Sequence, residues 1–189
     1  MNRPLPLSIV LTAICCALCV GSCGGADLKV GVPWNPEDAP FFDDGADLIE
    51  NPTILAGTWG GRQKNWMEGR VQLADVVAVV EIQAVQTDID ADVVNGTRID
   101  VRVVNELYGV PPGDRISLQS LVNAPGHELI VRNEKRLYGN FILFYRSFAV
   151  QGKGSKETVG HHFHLSPASP ELVDYVKKRL ALRIEAEKG

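Results

Sequence analysis

Ala74-Asp75-Val76-Val77-Ala78-Val79-Val80-Glu81-Ile82 is β-branched and almost wholly apolar, the composition of a strand buried on both faces. Downstream, Thr97 to Val104 alternates, with Ile99, Val101 and Val103 on one face and Arg98, Asp100 and Arg102 on the other, which predicts a half-exposed strand. Asn95-Gly96 reads as a turn leading into it. Pro111-Pro112-Gly113-Asp114 reads as the next turn, with Pro112 and Gly113 suited to the central positions of type II. Ile116, Leu118 and Ser120 resume the alternation, and further strands are expected at Glu128–Arg132, Phe141–Phe148 and Val159–Leu165. Six short strands with turn signals between them predict a mainly β domain, a small antiparallel barrel or sandwich, beginning at Val71.

A C-terminal α-helix follows the last strand. Ser169 is placed to cap it, Pro170 suits the first helical position, and Glu171 meets the positive end of the helix dipole. Leu172, Val173, Val176, Leu180 and Ile184 form one apolar stripe, so the helix should close the β domain and leave Lys177, Lys178, Arg179 and Arg183 to solvent. On the N-terminal side, residues 24–70 lack sustained periodicity and are punctuated by Pro33, Pro36, Pro40, Pro52 and Asp43-Asp44-Gly45, as in an irregular tether. Its aromatics Trp34, Phe41, Phe42, Trp59 and Trp66 are too many for a solvated linker and should pack as anchors of a wrapping arm.

The 189 residues carry 19 Lys and Arg against 23 Asp and Glu, a net charge of -4, and 45% of them are hydrophobic. That balance excludes a disordered chain, and it lacks the clustered basic surface with which a nucleic-acid partner would be held. Arg3 precedes an apolar run from Leu5 to Val20 that is too short for a membrane-spanning helix of roughly 20 residues and fits the hydrophobic part of a signal peptide. Val20-Gly21-Ser22-Cys23 then resembles the lipobox of bacterial lipoproteins. The resemblance implies a signal peptide over residues 1–22, acylation of Cys23, and anchoring in a bacterial membrane on its extracytoplasmic side, the outer membrane where there are two. Cys15, Cys16 and Cys19 lie within the apolar run and no cysteine follows Cys23, so the processed chain could form no internal disulfide.

Five further stretches resemble, in order, the OB-type barrel of the TIMP and netrin-like modules: the Ala74 strand, Val103-Val104-Asn105-Glu106-Leu107-Tyr108-Gly109, Pro111-Pro112-Gly113-Asp114, Gly139-Asn140-Phe141-Ile142-Leu143-Phe144, and Leu165-Ser166-Pro167-Ala168-Ser169-Pro170. The likeness spans about residues 70–182 and implies an OB-like fold and a binding role. That family staples its barrel with disulfides, and its protease inhibitors use a free N-terminal cysteine amine. Neither feature is possible here, so protease inhibition is not implied.

Site signals are few. His161-His162-Phe163-His164 is the densest set of potential ligands: on a strand, His162 and His164 share a face at a spacing that suits two imidazoles on one zinc or copper ion. A third ligand would have to come from His127 or a carboxylate; without it these are solvated strand histidines. Asp88-Ile89-Asp90-Ala91-Asp92 fails as a calcium loop, having Val93 where glycine and Ile99 where a bidentate Glu would be needed, and reads as an acidic hairpin tip. Gly152-Lys153-Gly154-Ser155-Lys156 lacks the spacing of a phosphate loop, Asn95-Gly96-Thr97 matches a glycosylation sequon in a turn, and no catalytic residue or cofactor is assigned. The expectation is a membrane-anchored lipoprotein whose domain binds a protein or envelope component without catalysis. The alternative is a metal carrier or metal-dependent enzyme using His162 and His164.

Overall fold

The computed structural model describes residues 33–51, 60–90, 93–151 and 157–189, so that Cys23, Trp59 and the Gly152–Lys156 stretch lie outside the described residues. Its chain order is a short strand β1 (Gly45–Ala46), helix α1 (Gly60–Leu73), strands β2 (Val76–Asp90), β3 (Val93–Tyr108) and β4 (Arg115–Leu121), helix α2 (His127–Asn133), strands β5 (Gly139–Gln151) and β6 (Glu157–Pro167), and helix α3 (Pro170–Ala186). They form one mixed sheet in the order β1-β6-β5-β2-β3-β4, antiparallel except for β1, which runs parallel to β6. The protein is therefore mainly β with a C-terminal helix. The sheet is open: β1 and β4 are its two ends, and closure into a barrel is not formed.

The apolar run that begins β2 packs on both sides. Val76, Ala78, Val80 and Ile82 join Ile99, Val101, Ile116, Leu118, Leu143 and Phe163 in one core, while Val77 turns to a second core with Ile142, Phe144, Met67, Val71, Leu172, Val176 and Leu180. The first core lies under α2, through Ile130, and the second lies under α1 and α3. β4 alternates as its sequence predicts, with Ile116, Leu118 and Ser120 buried. Ser169 caps α3 by accepting a hydrogen bond from the Leu172 amide, with Pro170 in the first turn.

Four expectations are corrected. Glu128–Arg132 belongs to helix α2; only Ile130 of this stretch is buried, and Glu128 pairs with Arg132 one turn on, an arrangement that five residues of sequence do not distinguish from a strand. Residues 60–73, read as part of the irregular arm and the start of the β domain, are helix α1, whose buried face is Met67, Arg70 and Val71. Asn95-Gly96 lies inside β3 and makes no turn there. A Cβ on Gly96 would stand 2.3 Å from the Ser120 carbonyl oxygen, so the glycine permits close approach of β4. The arm also supplies a strand of its own, β1, where Asp43-Asp44-Gly45 reads as punctuation.

At that strand the open sheet is bridged. Gly126, just before α2, donates its amide to the Asp43 carbonyl at 2.8 Å, and a Cβ added to Gly126 would lie 2.4 Å from the Gly45 Cα. Helix α2 touches β1, β3 and β4, so it fills the gap between the two sheet ends. Among the described residues no helix is long and apolar enough to cross a membrane.

Candidate functional site

The arm is fastened to β6 by carboxylates. Its backbone pairs first, with the Asp44 amide donating to the Phe163 carbonyl at 3.0 Å and the Asp47 amide to the Leu165 carbonyl at 2.9 Å. Asp44 holds a left-handed φ of 53°, which short polar residues tolerate, and the resulting twist lets neighbouring carboxylates reach the same strand. Asp43 Oδ1 lies 2.7 Å from His164 Nδ1, and Asp44 Oδ2 lies 2.6 Å from His162 Nδ1. Asp44 Oδ1 also accepts the Phe163 amide at 3.0 Å.

His164 is the centre of this cluster. Its side chain is 2% exposed, and its second nitrogen, Nε2, lies 3.1 Å from Asp47 Oδ2. Asp47 accepts further hydrogen bonds from Arg70 and from the Ser166 hydroxyl, both at 3.0 Å. Arg70, on α1, also donates to the Phe41 carbonyl at 3.0 Å. Both ring nitrogens of His164 therefore face carboxylate oxygens. Burial raises the carboxyls of Asp43 and Asp47, but His164 and Arg70 outweigh it and hold both below the ordinary carboxylate range. Burial likewise lowers the Arg70 guanidinium against the pull of Asp47 and Asp43.

Around this centre the arm is secured twice more. His162 forms a three-ring cluster with Trp34 and Phe148, with centroids 4.3 Å away at Trp34 and 5.0 Å at Phe148. Where the arm enters, Pro33 bridges to Ala149 near the end of β5. Arg146 donates to Asp75 Oδ1 at 3.0 Å and to the Leu73 carbonyl at 2.8 Å, and Asp75 Oδ2 accepts from the Ser147 amide and hydroxyl, which ties the α1–β2 junction to β5.

On the other side of β6 a cavity of about 370 Å³ is lined by Gln86, Asp88, Arg98, Ser117, Gln119 and His161, drawn from β2, β3, β4 and β6. Strands distant in the sheet order share it because the sheet curls. His161 stacks on Tyr145 at 5.2 Å, and burial lowers its pKa, which favours a neutral ring able to donate and to accept. Gln119 donates to Asp88 at 3.0 Å, Arg98 pairs with Gln86, and the Ser117 hydroxyl donates to Asp100 at 2.8 Å. The surface is polar, nearly charge-balanced and pre-ordered by these bonds.

His162 and His164 do lie on one face of β6, but their Nδ1 atoms, and Nε2 of His164, face carboxylate oxygens. His127 is on α2, with its Nδ1 3.1 Å from the Ser120 carbonyl oxygen. Among the described residues no group of three or more His, Cys, Asp or Glu is arranged to hold a metal ion. Sequence reasoning missed Asp43, Asp44, Asp47 and Arg70 as partners of these histidines, and missed the cavity. The signal for Arg70 was present, because Met67, Val71 and Ala74 recur at helical spacing around it. Set against protein-family models, curated proteins and solved structures, the chain matches none of them.

Proposed function

We propose that this protein is a lipid-anchored, extracytoplasmic bacterial lipoprotein whose OB-like β domain binds another protein or an envelope component without catalysis. Support for the anchor comes from Val20-Gly21-Ser22-Cys23 and the lack of any later cysteine. The OB-like reading draws on the antiparallel order β6-β5-β2-β3-β4 with α2 between β4 and β5 in sequence. The observation that carries the binding role is the polar cavity beside His161, whose amide, guanidinium, carboxylate and imidazole groups offer donors and acceptors in fixed positions. Its serine does not favour hydrolysis, since the Ser117 hydroxyl is committed to Asp100 and not to an imidazole base.

Two measurements test the proposal. Replacing Cys23 with Ala should move the protein from the membrane fraction to the soluble fraction, and mass spectrometry of the processed wild-type chain should find Cys23 acylated; an unmodified Cys23 would sink the anchor. A partner retained from detergent-solubilised envelope by the wild type should be lost by an Arg98→Ala, Gln119→Ala variant, and equal retention would count against the cavity.

A further inference from the structure

We infer that strand β4 receives an extended segment of a partner protein, which pairs with it as an added strand. The inference rests on the binding role proposed above and commits the partner to a protein. β4 is one end of the open sheet, and among the described residues its paired neighbour is β3 alone. The Val103 amide donates to the Asp114 carbonyl at 2.8 Å, and the Val122 amide donates to the Asn95 carbonyl at 3.0 Å. The register between these two pairs is unbroken. The main chain of Ile116, Leu118 and Ser120 therefore faces β3, and the amides and carbonyls of Ser117 and Gln119 point away from it.

Natural sheets blunt an exposed edge with proline, lysine, bulges or a covering element. β4 contains neither Pro nor Lys, and its register has no shift. Helix α2 meets it through His127 at Ser120, while Ser117 and Gln119 remain exposed. The other end of the sheet differs, since β1 has two residues and lies against α2. The second half of β2, which pairs with β3 alone among the described residues, is interrupted by register shifts at Ile82/Ala84 and Asp88/Ile89 and carries Asp88 and Asp90.

Two cavities beside β4 add side-chain recognition. One, of about 370 Å³, takes Arg115 and Ser117 from β4 together with Asp100. The cavity next to His161, of the same volume, takes Ser117 and Gln119 together with Arg98. They succeed one another along β4 by two residues, about 6.8 Å, the interval at which a strand presents side chains on one face. A segment paired with β4 thus sets successive same-face side chains at the two cavities, its main chain supplying affinity and these side chains specificity. Two β4 edges of about 24 Å by 10 Å meeting between copies would cover about 500 Å², well below the roughly 1,200 Å² of a stable interface, which favours a separate segment over a second copy.

The test uses the full, exported chain in detergent micelles as the target for peptides displayed on phage, each as long as β4. Selected peptides, synthesised and added in excess, should slow amide hydrogen exchange at Ser117 and Gln119 by about tenfold or more and leave Leu118, already paired with Ile99, unchanged. Ser117→Pro removes an outward amide that an edge strand can spare, and it should weaken peptide binding by about tenfold. Ser117→Ala, which removes the hydroxyl bonded to Asp100, should bind within about twofold of the wild type. A library without binders, or peptides that leave exchange at Ser117 and Gln119 unchanged, would overturn the proposal, and the exchange readout decides even where Ser117→Pro does not fold. A dimer that Ser117→Pro dissolves would put a second copy in place of the segment and overturn it too. If the envelope partner is retained by Ser117→Pro and lost by Arg98→Ala, Gln119→Ala, the cavity reading stands and the added strand falls.

Discussion

His164 is where removing one side chain should cost most. Its ring, itself buried, lies between the partly buried carboxylates of Asp43 and Asp47 and faces both. Breaking such a buried arrangement typically costs about 3 kcal/mol or more, so His164→Gln should lower the urea midpoint well beyond the effect of His162→Gln, whose ring is 30% exposed. Acid should act on the same place. Carboxyls held below their ordinary value of 3.8 contribute stability that is complete above that value and is lost as pH falls through the lower folded-state value. Unfolding free energy measured from neutral pH to about pH 3 should therefore fall at the acid end, and in Asp43→Asn it should fall less. A parallel acid slope in that variant would place the titration elsewhere. Zinc should give no saturable rise in melting temperature, since the facing nitrogens are already occupied; a one-equivalent stabilisation abolished by His162→Ala, His164→Ala would show that the carboxylates give way to metal. The histidine pair was legible from i, i+2 spacing alone. Its partners stand 118 and 121 residues away in sequence, and no local pattern reports a pairing of that range.

Elements differ in how plainly their sequences announce them. β4 and α3 were legible because each shows its own period, with a turn or a cap at its edge, and the first half of β2 was legible as an apolar β-branched run. α1 was hidden by an arginine in the middle of its buried face, and α2 by its shortness. The β1 strand has two residues and exists because Gly45 allows Gly126 to approach it. Gly126→Ala should thus push the entry of α2 away from the arm, at a cost of about 1–3 kcal/mol for forced overpacking. Gly113→Ala is the control, since its nearest neighbour stands 3.7 Å from an added Cβ. Equal melting temperatures for the two variants would mean that the contact yields without cost.

For the whole molecule, the arm is part of one core, to which it brings Phe42 and Met67. A chain beginning near Arg70 lacks Phe42 and Met67, which are fully buried against Ile142 and Phe144, and lacks every carboxylate facing His162 and His164. Burial of one such side chain contributes about 1.5–3 kcal/mol, so two of them and the cluster amount to much of a typical domain's stability. A chain beginning at Gly24 should melt in one cooperative step, whereas one beginning near Arg70 should show a broad transition or none. A sharp transition at an unchanged temperature in the shorter chain would demote the arm to a passive tether.

The parallel course of the arm beside β6 also has a mechanical meaning. At Gly45-Ala46 the arm runs the way β6 runs, whereas its bridge at Pro33 is parallel to β5 and so runs against β6. Tension that reaches Asp43 from its N-terminal side and is directed along the strands would load the two arm amides and the three carboxylates side by side, in shear. Bonds loaded together must break together, whereas a strand peeled from its free end gives them up singly. The lifetime of the attachment under load is then set by the barrier to sliding the whole arm, a rate and not an equilibrium constant.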